Sequence, residues 1–181
     1  MLDGVDGFRG LRHDPSVDEL TGVALRPIED ADLDGLFAMM RDPVAVRMAA
    51  FTAADPDDRA AFDAHMAKVL AAPGVTNRAI TVDGRLAGSV AAFVMDGDTE
   101  VTYWIDRALW GRGIAGRALA LLLAEVTVRP VFARAASDNG GSLTVLRRAG
   151  FQIIGTDIGY ANGRKGEIEE TILRLDHATG A

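Results

Sequence analysis

Residues 100–128 read EVTYWIDRALWGRGIAGRALALLLAEVTV, and the fold turns on how this stretch divides. Glu100 to Ile105 is dense in β-branched and aromatic residues, which predicts a strand. Ala115, Ala118, Leu119, Leu122, Leu123 and Val126 follow at helical spacing. Their neighbours are nearly all apolar too, Arg117, Glu125 and Thr127 excepted, so the helix is expected to be buried almost all round. Between strand and helix stand Gly111, Gly113 and Gly116. Glycine lets a backbone turn tightly and lets a ligand approach it closely. A glycine turn opening a helix leaves the first N–H groups free at the positive end of the helix dipole, which makes an anion site. At this level the inference is phosphate binding.

Two phosphate motifs fit poorly. The Walker pattern G-x-x-x-x-G-K-[ST] needs a lysine, and none follows these glycines. The dinucleotide fingerprint has glycines at a similar spacing, but it belongs in a first strand–helix unit with an acid about twenty residues on. Here the glycines come after about a hundred residues, and the nearest carboxylate, Glu125, lies within the helix. Another kind of nucleotide binder is therefore disfavoured.

The stretch resembles the GNAT superfamily of acetyl-CoA-dependent N-acetyltransferases, whose motif is [QR]-x-x-G-x-[GA] between a strand and a helix. Trp110-Gly111-Arg112-Gly113-Ile114-Ala115 matches it, with Trp110 in the Gln/Arg place. That departure, with Tyr103-Trp104 in the strand, resembles the branch of ribosomal-protein N-terminal acetyltransferases. Downstream, Asn139, Ser142, Val145, Gly150 and Phe151 match N-x-x-S-x-x-[VL]-x-x-K-x-G-F, with Arg148 in the lysine place. Arg26-Pro27-Ile28 followed by Asp32 resembles the opening of the same branch. The resemblance covers about Val23 to Leu175.

Working outward, Gly22 to Pro27 is a predicted strand, and Asp30 or Asp32 caps a helix that turns Leu33, Leu36, Phe37 and Met40 inward. Asp42-Pro43 breaks it, and a short helix can start between Pro43 and Phe51. The next, opened by Asp55-Pro56, carries Ala61, Phe62, His65, Met66 and Val69, and ends at Ala72-Pro73-Gly74. Asn77 to Val82 and Arg85 to Val94 flank Asp83-Gly84, a strong hairpin signal, and Asp96-Gly97-Asp98 turns into the Glu100 strand. After the glycine turn and its helix come a strand at Val131–Ala135, expected parallel to the Glu100 strand, and a helix capped by Asp138 or Asn139. Gly150 then fits the position that ends this helix. Two strands, Phe151–Gly155 and Glu167–Leu175, close the chain, joined by a loop that holds Tyr160, Asn162 and Gly163. The expected class is α/β (α+β): a GNAT-like mixed sheet of about seven strands flanked by helices, in the order β-α-α-β-β-β-α-β-α-β-β.

At 181 residues the length fits one domain, read as residues 22–181, preceded by a Gly/Asp-rich extension at 1–21 that packs loosely or is partly disordered. There is no cysteine, so no disulfide framework, thiolate nucleophile or Cys-ligated metal is available, and a reducing cytoplasm is expected. His13, His65 and His177 have no ligand spacing, and no metal is expected. Residues 1–20 lack a basic start and an apolar core, so no signal peptide is expected, and no run approaches a membrane span. A net charge of −7 argues against nucleic acid as a partner. The charge is uneven: 9 basic and 18 acidic residues before position 101, 10 and 8 after it. Monomer and homodimer both remain open.

The resemblance implies an enzyme that carries acetyl from acetyl-CoA to a primary amine, either a peptide N-terminus or a small molecule, by direct attack in a ternary complex. The alternative is a protein that binds acyl-CoA without turnover, as a sensor or interaction module. Arg112, Gly113, Ile114, Ala115, Gly116 and Arg117 would hold the pyrophosphate. In the family the preceding strand bulges and parts from the next, so the backbone of Tyr103, Trp104 and Ile105 would pair with pantetheine, which Asn139 would also touch. Glu100 is the candidate base, Ser142 the candidate acid toward the leaving thiolate, and Tyr160 a second candidate acid. Trp104 and Trp110 also suit a core or acceptor-wall role.

Overall fold

The chain alternates short strands and helices: β1 (Val23–Arg26), α1 (Leu33–Met40), α2 (Pro43–Ala49), α3 (Arg59–Ala71), β2 (Thr76–Val82), β3 (Arg85–Met95), β4 (Asp98–Ile105), α4 (Ile114–Glu125), β5 (Val131–Ala136), α5 (Gly140–Arg148), β6 (Gln152–Ala161) and β7 (Gly166–Leu175). The computed structural model describes residues 22–177, so the expected extension at 1–21 lies outside the described residues.

One seven-stranded sheet runs β1-β2-β3-β4-β5-β7-β6. All neighbours are antiparallel except β4 and β5. Two-residue turns build the β2–β3–β4 meander. Asp83 and Gly84 have φ of 50° and 78°, Asp96 and Gly97 52° and 92°. Positive φ at both central residues is what a type I′ hairpin turn requires.

Strand alternation sorts the core onto one face. Val101 and Ile105 of β4, Val131, Ala133 and Ala135 of β5, and Leu173 and Leu175 of β7 are buried with Ile114, Ala118, Leu119 and Leu122 of α4 and Leu143 and Leu146 of α5. The other face carries α1 and α2. There Trp104 Nε1 donates to the Met39 carbonyl at 3.2 Å, and Ala50 packs with Ala136 and Ala161.

The seven-stranded mixed sheet matches the expected fold, and four details differ. The short helix expected between Pro43 and Phe51 forms as α2, one helix more than the expected order counts, because Asp42 caps it by accepting from Val44 N and Ala45 N. Helix α4 is not buried all round: Arg117, Ala120, Leu121 and Ala124 are exposed, since the sheet covers only one side of it. Strand β4 does not bulge; its register with β3 is unbroken, and the shift lies between β2 and β3, opposite Ala87. Tyr160 sits within β6, not in a loop, and the connecting turn is confined to residues 162–165.

Candidate active site

A fork in the sheet forms the site. β4 and β5 pair only at Thr99–Val131 and Glu100–Phe132, and beyond Glu100 the two strands separate. Among the described residues, the β5-facing backbone of Val101 to Ile105 therefore has no strand partner on that side. Each arm leads, at its C-terminal end, into a helix, so α4 and α5 both begin near the open mouth.

The two helix starts differ. At α5, Asn139 Oδ1 accepts from Ser142 N at 3.1 Å. At α4 the N-cap is Gly113, with φ 74° and no side-chain cap, so the first amides keep the donor capacity that helix starts leave unused. Gly111 has φ 76°. A Cβ built on Gly111, Gly113 or Gly116 would meet nothing within 4 Å, so the cradle is open space. Arg112 and Arg117 are exposed beside it, Ile114 is buried beneath it and Ala115 is half-buried. Trp110 Nε1 donates to the Ile105 carbonyl at 2.9 Å and seals the end of β4.

Glu100 stands at the vertex of the fork, on the α1–α2 face with Thr102 and Trp104, and is 7% exposed. Arg134 Nε donates to its Oε1 at 3.1 Å, and Arg134 Nη1 reaches Glu170 Oε2 at 3.4 Å. Burial pushes the Glu170 carboxyl above the ordinary range, partly offset by Arg134. Arg134 and Glu170 escaped the sequence reading. One signal was there: Arg134 is the single charge on a six-residue strand otherwise made of Val, Phe and Ala.

Tyr103 and Ser142 meet from opposite sides of the fork on the α4–α5 face. The phenol oxygen lies 2.7 Å from Ser142 Oγ and 3.3 Å from the Ser142 carbonyl. Burial pushes the Tyr103 phenol above its ordinary value of 10.0, with the Ser142 contact opposing. Asn139, besides capping α5, donates from Nδ2 to the Met48 carbonyl at 3.3 Å and so ties α2 to the mouth.

Tyr160 is not brought to this group. It lies on the edge strand β6, 63% exposed and paired with Glu167, with β7 and β5 between it and β4. The turn after it packs inward instead. Gly163 N donates to the Ala50 carbonyl at 2.8 Å, and a Cβ on Gly163 would fall 2.4 Å from the Val46 carbonyl, which explains a glycine there. Arg164 makes a two-pronged ion pair to Asp138 at 2.8 and 3.0 Å and also donates to the Arg47 carbonyl. Among the described residues no helix is long and apolar enough to cross a membrane.

Comparison with known proteins agrees with this geometry. Residues 23–152 match the family model described as an acetyltransferase (GNAT) domain. No curated protein matches in sequence. Among solved structures, RimL, a ribosomal L7/L12 alpha-N-protein acetyltransferase in complex with coenzyme A, is 17% identical with a TM-score of 0.74, over 87% of this chain and 95% of its own. RimJ of Mycobacterium smegmatis, in complex with CoA-disulfide, is 20% identical with a TM-score of 0.73, over 85% and 81%. A phosphinothricin acetyltransferase of Sinorhizobium meliloti, in complex with AcCoA, is 17% identical with a TM-score of 0.74, over 88% and 90%. At these identities the likeness is one of fold.

Proposed function

We propose, given that the chain belongs to the GNAT acetyltransferase family, that it transfers acetyl from acetyl-CoA to a primary amine by direct attack within a ternary complex. The observation that carries this reading is the fork. It exposes unpaired strand backbone that leads straight to an uncapped helix start. Pantetheine carries amides that can pair with such an edge, and a pyrophosphate suits the amides and dipole of such a helix.

In this reading the backbone N–H groups of Arg112, Gly113, Ile114, Ala115 and Gly116 meet the pyrophosphate, and Arg112 and Arg117 add charge. The backbone of Tyr103, Trp104 and Ile105 lines pantetheine. Asn139 holds the start of α5 at the mouth. Glu100 takes a proton from the acceptor ammonium, because only the neutral amine attacks. The nitrogen lone pair adds to the thioester carbonyl, the C–S bond then breaks, and the electron pair leaves with sulfur. Ser142 donates to that sulfur as its negative charge develops. Tyr160 has no part in this reading, since two strands separate it from β4 and it stands on an exposed edge.

One observation favours a second reading, acyl-CoA binding without turnover: Arg134 already engages one oxygen of Glu100. A single experiment separates the two. Thiol release from acetyl-CoA is followed with a panel containing a peptide with a free N-terminus, phosphinothricin and a polyamine, alongside the melting temperature with acetyl-CoA. A raised melting temperature with amine-dependent thiol release supports the transferase. A raised melting temperature with no release from any amine supports the binding module.

A further inference from the structure

Tyr103 was expected to meet the acyl donor through its backbone, yet its side chain makes a hydrogen-bonded bridge across the fork on the α4–α5 face. The phenol has one hydrogen and two possible acceptors. A carbonyl can only accept, so the 3.3 Å contact needs that hydrogen, whereas the 2.7 Å contact to Ser142 Oγ can run either way. At 3.3 Å the carbonyl contact is long for O–H···O, whereas 2.7 Å is the usual separation, so the phenol hydrogen fits Ser142 Oγ better than the carbonyl. A serine in the first turn of a helix otherwise tends to spend its hydroxyl on nearby backbone.

We propose that Tyr103 is a positioning residue that acts through Ser142: its phenol donates to Ser142 Oγ and thereby turns the serine's own hydrogen toward the sulfur of the acyl donor. This rests on the acetyl-CoA reading above. A hydroxyl that accepts a hydrogen bond is polarised into a better donor, so the phenol strengthens as well as aims the Ser142 hydroxyl. Burial raises the phenol above its ordinary value, which favours the protonated form that can donate. Tyr103 itself touches no reacting atom. Its effect is confined to the charge on sulfur, and the attack of the amine is untouched.

The test needs no known acceptor. Coenzyme A is bound to the wild type, Tyr103→Phe, Ser142→Ala and the double variant, and the bound thiol is titrated by its thiolate absorbance in the ultraviolet. A hydroxyl aimed at sulfur lowers the thiol pKa in the wild type below that of free coenzyme A. Both single variants should raise it, on the order of tenfold in the ionisation constant for one hydrogen bond to a charged group. The double variant should match Ser142→Ala within about twofold, because Tyr103 has nothing left to act through. With any amine that turns over, kcat should fall in the same pattern while KM for acetyl-CoA holds, a split that general loosening of the fold would not produce. Phenylalanine keeps the ring, and an equal rise in melting temperature with coenzyme A in all four proteins controls for folding. A Tyr103→Phe titration identical to wild type, or a double variant shifted by the sum of the singles, overturns the proposal. Failure of the wild type to bind coenzyme A overturns the acetyl-CoA reading itself, a separate outcome seen before any variant is compared.

Discussion

Gly113 is the residue where backbone conformation and open space coincide. Its φ of 74° is left-handed, and a Cβ there would meet nothing within 4 Å. A side chain therefore costs about 1–2 kcal/mol of backbone strain but no collision within the protein. Gly113→Glu should fold, with a modestly lowered melting temperature, and should lose the rise that acetyl-CoA gives, because it sets a carboxylate where a phosphate must approach. A ligand-induced rise equal to wild type, read by thermal unfolding, sinks the phosphate site. At the vertex, Glu100→Gln removes a proton acceptor while keeping the shape and a hydrogen bond to Arg134. Acetyl-CoA affinity should hold, and kcat at neutral pH should fall by about 10²–10⁴, the usual worth of a positioned base. Activity should recover in part at high pH, where the amine is already neutral. Undiminished kcat at neutral pH assigns the base elsewhere.

At the scale of elements, β1 is four residues long on a sheet edge and depends on what ties it down. Arg26 at its end forms a two-pronged ion pair with Asp32, at 2.6 and 2.7 Å, and Asp32 also accepts from Glu29 N at 2.8 Å. Asp32 is 5% exposed, so one carboxylate pins the strand to the turn that opens α1. The hydrogen bond from Arg26 leads the causes that hold its carboxyl below the ordinary 3.8. A depressed pKa contributes stability that is present above 3.8 and lost as pH falls below it toward the folded value. Asp32→Asn should thus destabilise the protein by about 1–3 kcal/mol at neutral pH and progressively less below the ordinary carboxylate range. Urea unfolding from pH 7 down to pH 3 reads the difference; a gap independent of pH would show that the pair carries no linkage. Elements of this kind were largely legible beforehand. The Asp-Gly turns, the glycine loop and the Gly150 stop each name a backbone conformation, and each was found where its chemistry puts it. Tyr160 was misplaced because β6 is an exposed edge strand interrupted by Gly155 and Gly159, so it lacks the apolar alternation that marks a half-buried strand. The Tyr103–Ser142 and Glu100–Arg134 contacts join residues 39 and 34 positions apart, and no local pattern encodes such pairs.

Over the whole molecule, charge divides the chain: 18 acidic against 9 basic residues before position 101, 8 against 10 after it. The acids of the early helices do not all face solvent unpaired. Asp57 pairs with Arg41, Asp34 and Asp63 share Arg59, and Asp42 pairs with Arg107 next to the glycine loop. These exposed pairs are individually weak, but they cancel field locally, so steering must come from the remaining acidic excess. Asp55 and Asp58 belong to that excess, since their side chains are spent only on backbone amides. A surface of one sign concentrates the opposite ion and speeds its encounter, and salt removes the effect over a Debye length of about 8 Å at physiological ionic strength. A cationic acceptor arriving over the early helices should show kcat/KM falling as NaCl rises, with kcat little changed. Acetyl-CoA is an anion and meets the arginine-bearing loop, so its own salt dependence is measured at saturating acceptor and divided out. The partial pairing limits the slope to a few-fold between low salt and 0.3 M, below the 10–10³ range of fully steered association. A best acceptor that proves neutral or anionic, or a kcat/KM flat in salt, would mean that the acidic excess serves solubility and takes no part in bringing the amine to the fork.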